Sequence, residues 1–235
     1  MQDCVRIIAM KAPWGKQVAT AVAVLCLGAT AAAHDVTGTV RVSGRADASV
    51  KTIVYAERLD ATARPRAARA KLTQKNKSFA PRVVAVPAGS TVDFPNEDPI
   101  FHNVFSLSAP APFDLGLYRA GASKNRAFTQ AATYRVFCNI HPDMTAVLLV
   151  LPTDHITEAA AGGAWRLDLP PGRYRITAWS ERAQPASAEI TVGAGPLAVP
   201  ELALDESKFV ELPHKNKLGQ DYPKSAYDPV RDKRP

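Results

Sequence analysis

An all-β fold is what this sequence predicts, and three observations carry the prediction. Short runs rich in Val, Thr, Tyr, Phe and Leu recur along the chain, as at residues 82–86, 91–94 and 145–151. Turn clusters such as Pro87-Ala88-Gly89-Ser90 and Pro170-Pro171-Gly172 separate these runs at intervals of roughly ten residues, the spacing of a β-sandwich. Between residues 78 and 151 no stretch carries the apolar period of an amphipathic helix. At 235 residues the chain holds one large domain or two small ones.

Residues 1–33 read as a cleaved signal peptide. Arg6, Lys11 and Lys16 precede an apolar run over residues 18–29 that is too short to span a bilayer, and Ala31-Ala32-Ala33 gives a small-residue cleavage signal before His34. Leu25 precedes Cys26 where a lipid anchor calls for a small residue. The expectation is an exported, periplasmic chain without stable membrane insertion. Cleavage removes Cys4 and Cys26 and leaves Cys138 alone. A single cysteine in an oxidising compartment has no internal disulfide partner, so it is a buried hydrophobe, a reactive thiol or a metal ligand. Without the leader, 26 basic side chains face 21 acidic ones. They form no basic stripe interleaved with aromatics, which argues against nucleic acid as a partner.

The strands follow in order. Residues 36–42 alternate and end at Ser43-Gly44, and residues 50–55 make a second run. Residues 57–77 shift to Ala, Arg and Lys around Pro65 and read as an exposed linker or mobile loop. Strands are expected at 82–86, 91–94, 102–107, 113–118, 125–130, 133–138 and 145–151, with the turn-rich stretch 95–99 delivering His102. Residues 153–163 read as a small-residue connector. Alternation resumes at 163–169, 173–179 and 186–192, where Trp165 and Trp179 are read as core or sheet-face aromatics of a second domain. From Asp205 the chain turns polar and proline-spaced, an extended or disordered tail that Tyr222 and Tyr227 would anchor.

The residues with chemistry lie in two places. Cys138, His141 and Met144 have the spacing Cys-x-x-His-x-x-Met at the end of a strand and in the loop after it, where Pro142 suits a tight turn. His102, with Asn103 and Val104, heads an apolar run upstream. Two imidazoles, a thiolate and a weak thioether are the ligand set of a blue-copper site, with soft sulfur favouring Cu(I) and imidazole serving both oxidation states. The bland reading of the same loop is a buried Cys and Met beside a surface His. Only five histidines occur, His34, His102, His141, His155 and His214, too few for the additional cluster of a multicopper oxidase. No phosphate loop, serine-nucleophile elbow or paired catalytic carboxylate stands out.

Pro95-Asn96-Glu97-Asp98-x-x-x-His102-Asn103-Val104 followed by Cys138-x-x-His141-x-x-Met144 resembles the cupredoxins, nearest to their amicyanin- and plastocyanin-like members. The resemblance covers roughly residues 72–152. It implies a Greek-key β-sandwich, a one-electron carrier that is not an enzyme, and one type 1 site cycling between Cu(I) and Cu(II). Its ligands would be His102, Cys138, His141 and Met144, with Asn103 tying the two ligand loops together. By the same resemblance His141 would be the edge through which electrons leave. Pro99, Pro110, Pro112, Phe113 and Pro142 would then rim a weak docking patch for a transient, unidentified protein redox partner, and the chain would be monomeric. Gly163-x-Trp165-x-Leu167, then Pro170-Pro171-Gly172-x-Tyr174-x-Ile176-x-Ala178-Trp179, resembles a carboxypeptidase regulatory-like β module.

The organisation expected is therefore a signal peptide at 1–33, a copper domain at 70–152, a smaller β-sandwich from 36–56 and 163–204, and a polar tail at 205–235. The alternative assigns 36–56 to the copper sandwich. Two rival functions share these residues: copper binding or delivery, and a metal-free β scaffold.

Overall fold

The computed structural model describes residues 34–44, 50–62, 64–211 and 213–222. The signal peptide expected at 1–33 and Tyr227 lie outside these residues. The described residues open with β1 (His34–Ser43) and β2 (Ile53–Arg58), then three short strands, β3 (Arg69–Lys71), β4 (Thr73–Lys75) and β5 (Ser78–Ala80). Next come β6 (Val83–Pro87), β7 (Ser90–Pro95), β8 (His102–Ser106) and β9 (Phe113–Tyr118). β10 (Ser123–Phe128), β11 (Ala132–Phe137), β12 (Thr145–Leu151) and β13 (Ile156–Glu158) follow. The last are β14 (Ala164–Leu169), β15 (Gly172–Trp179), β16 (Ala186–Val192), β17 (Leu197–Ala198) and β18 (Leu202–Asp205). The fold is all-β, and no helix among the described residues is long and apolar enough to cross a membrane.

One sandwich sets the sheet β6-β12-β11-β8-β9 against the sheet β10-β7-β3. Phe79, Val92, Phe94, Val104, Phe113, Phe128, Tyr134, Val136 and Leu148 fill the space between them. The second sets β14-β1-β17, with β18 also on β1, against β13-β2-β15-β16. Its core includes Val36, Val40, Val54, Trp165, Leu167, Tyr174 and Ile176. Here β1 pairs antiparallel with β14 and β2 with β15, so strands from opposite ends of the described chain share both sheets. Trp165 lies across β1 at Gly38, where an added Cβ would come within 2.5 Å of its ring, so only glycine fits under the indole.

The run Ala146-Val147-Leu148-Leu149-Val150-Leu151 shows how the sandwiches join. Side chains alternate faces along a strand. Ala146, Leu148 and Val150 point into the first core, whereas Val147, Leu149 and Leu151 join Ile53, Val83 and Trp179 in a third cluster. A strand buried on both faces must be apolar, which is what β12 is from Ala146 onward. Trp179 accordingly sits between the two sandwiches, while Trp165 belongs to the second core.

Besides the short strands β5, β17 and β18, two stretches differ from the sequence reading. Residues 57–77 contain β3 and β4, held because Leu72 and Gln74 are fully buried while Arg69, Lys71 and Lys75 stay exposed. The stretch 153–163, expected as a connector, contains β13, which pairs with β2.

Candidate metal centre

His102 heads β8, a strand buried at every position, and its ring is fully enclosed. The chain enters β8 through a loop organised by Asn96, whose buried amide donates to the carbonyl of Ile100 at 2.8 Å and accepts the N–H of Asp98 at 3.1 Å. Asp98 in turn takes the backbone N–H groups of Asn76 and Lys77 at 2.6 and 2.8 Å. Both residues have left-handed backbone, with φ of 54° and 53°, in the turn between β4 and β5. That turn aims two donors at one carboxylate. The remaining capacity of Asp98 goes to His102, whose Nε2 lies 2.6 Å from Oδ2. A carboxylate only accepts, so Nε2 carries the proton and Nδ1 is left with its lone pair. Burial pushes the Asp98 pKa up, but the Lys77 N–H, the His102 ring and the Asn76 N–H together hold it below the usual carboxylate value.

Cys138 follows β11, and the loop to β12 closes on itself through Cys138 N–H to Met144 O at 3.2 Å and Met144 N–H to His141 O at 3.1 Å. This turn brings His141 back over Cys138. The free Nδ1 of His102 lies 3.1 Å from His141 Nδ1. Cys138 Sγ is 3.9 Å from the first nitrogen and 3.6 Å from the second. Three donors sharing one ion at bonds of about 2 Å stand roughly 3.5 Å apart, so this triangle has the dimensions of a metal site. Burial raises the Cys138 pKa, and the backbone N–H groups of Asn103, Ile140 and His141 oppose that by donating to the sulfur. Those donors favour a thiolate where a positive ion completes the charge balance.

The residues singled out by the sequence divide as follows. His102, Cys138 and His141 come together. Met144 is buried in the same core as Cys138 and bonds to it through the backbone. The Asn103 backbone N–H helps to lower the Cys138 pKa, and its side chain donates to Asp114 at 2.7 Å. Phe113, expected on an exposed rim, is instead in the core, its ring against Phe94, Phe128 and Tyr134. The exposed apolar side chains next to the ligands in sequence are Phe101 and Ile140. Sequence reasoning gave Asp98 no role. Its signal there is a carboxylate four residues before a candidate ligand, inside the motif that runs from Pro95 to Val104.

No family model and no curated protein sequence matches the chain. Among solved structures it is similar to a Cu-containing nitrite reductase from Thermus scotoductus SA-01, with 25% identity over 40% of this chain and a TM-score of 0.35. The chain spans only 25% of the length of that enzyme. A purple cupredoxin from Nitrosopumilus maritimus shares 20% identity over 35% of this chain and 99% of its own, with a TM-score of 0.33. A reduced amicyanin carrying a single substitution shares 23% identity over 34% of this chain and 80% of its own, also with a TM-score of 0.33.

Proposed function

We propose that this chain is an exported type 1 copper protein that carries single electrons between redox partners in the periplasm, and is not itself an enzyme. The observation that carries the reading is the triangle of His102 Nδ1, His141 Nδ1 and Cys138 Sγ, with the far nitrogen of His102 tied to Asp98. One copper ion bound there would supply a Cu(I)/Cu(II) couple, with Met144 as the weak fourth donor.

The remaining chemistry belongs to the protein. Asp98 fixes the tautomer and orientation of His102 through a hydrogen bond that does not depend on the oxidation state of a metal. The backbone N–H groups of Asn103, Ile140 and His141 lower the Cys138 pKa against burial, and so favour negative charge on the sulfur. The enclosed side chains of His102 and Cys138 exclude water, while His141 is only half-buried and offers the shortest way to the surface. Phe101 and Ile140, exposed beside the ligands, suit a weak and transient protein contact. In this reading residues 36–56 and 163–204 form one smaller β-sandwich resembling a carboxypeptidase regulatory-like module, interrupted by the copper domain at 70–152. The pairing of β1 with β14 and of β2 with β15 supports that division.

Copper delivery uses the same ligands, and protein-film voltammetry in the presence of a Cu(I) chelator separates the two. A carrier gives a reversible one-electron wave over many cycles with its copper retained. Loss of the wave as the chelator strips the reduced ion would contradict electron carriage and favour delivery.

A further inference from the structure

We infer that the segment from Pro213 to Tyr222 is a strap that positions the ligand-bearing loop, with His214, Lys217 and Tyr222 as positioning residues of the centre. The inference rests on the copper reading for its consequence, though not for its geometry.

The loop from Cys138 to Met144 closes through two backbone hydrogen bonds of its own, which is little for a segment that places three of the four proposed donors. The strap reaches this loop at Phe137, Cys138, Asn139 and Pro142. The His214 ring stacks on Phe137, with centroids 4.0 Å apart and planes at 24°. Its Nε2 donates to the carbonyl of Pro142 at 2.6 Å. Lys217 N–H donates to Asn139 Oδ1 at 3.0 Å, and the Tyr222 hydroxyl donates to the carbonyl of Cys138 itself at 2.8 Å. A further contact reaches the other ligand-bearing strand. Lys217 Nζ pairs with Asp114 Oδ2 at 2.6 Å, and Asp114 Oδ1 accepts the side chain of Asn103, the neighbour of His102.

The strap is also braced internally. The buried Asn216 accepts the N–H groups of Leu218 and Gln220 at 2.9 and 3.0 Å, and backbone bonds between Asn216 and Gln220 and between Gly219 and Asn216 close the turn. Its root is fixed where Glu206 N–H meets the carbonyl of Ser43. A polar segment with few apolar side chains is therefore held by directed hydrogen bonds and one ring stack, and those bonds converge on the loop that must not move. Donor atoms displaced by even a fraction of an ångström change the geometry a site imposes on its metal.

The test compares wild type, Tyr222→Phe, His214→Ala and the control Leu218→Ala, all in the full chain; the Leu218 side chain is exposed. Amide hydrogen exchange of residues 139–144 in the metal-free protein is the first readout. Exchange should be about five- to ten-fold faster in the first two variants and unchanged in the control, the scale set by losing one hydrogen bond. After Cu(II) loading, the ratio of the two thiolate-to-copper absorption bands and the reduction potential should shift in Tyr222→Phe, with the unfolding midpoint of the rest of the protein intact. Unaltered loop exchange together with an unaltered spectrum and potential overturns the strap. Should wild type itself develop no thiolate-to-copper colour, the copper reading falls, and the exchange rates still decide whether the strap holds the loop.

Discussion

Asp98 Oδ2 stands 2.6 Å from His102 Nε2 while the same carboxylate holds the N–H groups of Asn76 and Lys77. One buried acid thus links a hairpin turn, a loop and a candidate ligand. Asp98→Ala would leave the buried His102 N–H without its acceptor, at roughly 1–3 kcal/mol, and would release the exposed turn at Asn76 and Lys77 from the carboxylate that holds it. Chemical denaturation of the metal-free variant should show a loss of about 2–4 kcal/mol. Copper titration should show affinity reduced by about 10- to 100-fold, the usual effect of removing a partner behind a ligating histidine. Unchanged affinity would mean that His102 is oriented by something else.

Arg69 forks onto Asp93, with Nε 2.6 Å from Oδ2 and Nη2 2.7 Å from Oδ1. The guanidinium holds the Asp93 carboxyl below its ordinary value, even against burial. A carboxyl with a lowered folded pKa binds fewer protons folded than unfolded, so its contribution is complete above the unfolded value near ~4 and is lost as pH falls through the folded one. Arg69 is largely exposed, so salt weakens the effect. Urea midpoints measured down through pH ~4 to ~2 should fall less steeply in Arg69→Gln than in wild type. Parallel curves would contradict the assignment.

Gly38 leaves no room for a methyl group beneath Trp165. Gly38→Ala should destabilise the second sandwich by about 1–3 kcal/mol through overpacking, read as a lower denaturation midpoint with altered Trp165 emission. A neutral result would place the indole elsewhere.

Leu149 belongs to the cluster shared by both sandwiches, whereas its neighbour Leu148 belongs to one. Leu149→Ala should cost about 2–5 kcal/mol and split unfolding into two transitions when Trp fluorescence and far-UV circular dichroism are compared. Leu148→Ala should cost a similar amount and leave the order of events otherwise alike. Coincident transitions in Leu149→Ala would mean that the cluster does not couple the sandwiches.

Much of the fold was legible because period-two alternation and turn residues are local signals. The strands around Val84, Val92, Leu148 and Ile176 all lie where their patterns predict. Less legible was anything decided by a distant partner. Leu72 and Gln74 are buried inside a run of basic residues because β3 and β4 pair with β7 and β5 and Leu72 packs into the first core, and nothing within residues 57–77 announces it. Cys138, His141 and His102 were legible because chemistry restricts which residue types meet at such a spacing. Asp98 and the strap were not, since a carboxylate and a polar tail have many uses. Phe113 was misplaced because an aromatic beside prolines reads equally well as rim or core, and only β8 and β10 decide between them.

One titration tests the copper centre most directly. Adding Cu(II) to the metal-free protein should develop an intense thiolate-to-copper absorption that saturates at one equivalent and is absent in Cys138→Ser. A protein that stays colourless, or a colour that survives the loss of Cys138, would contradict a centre built on that thiolate.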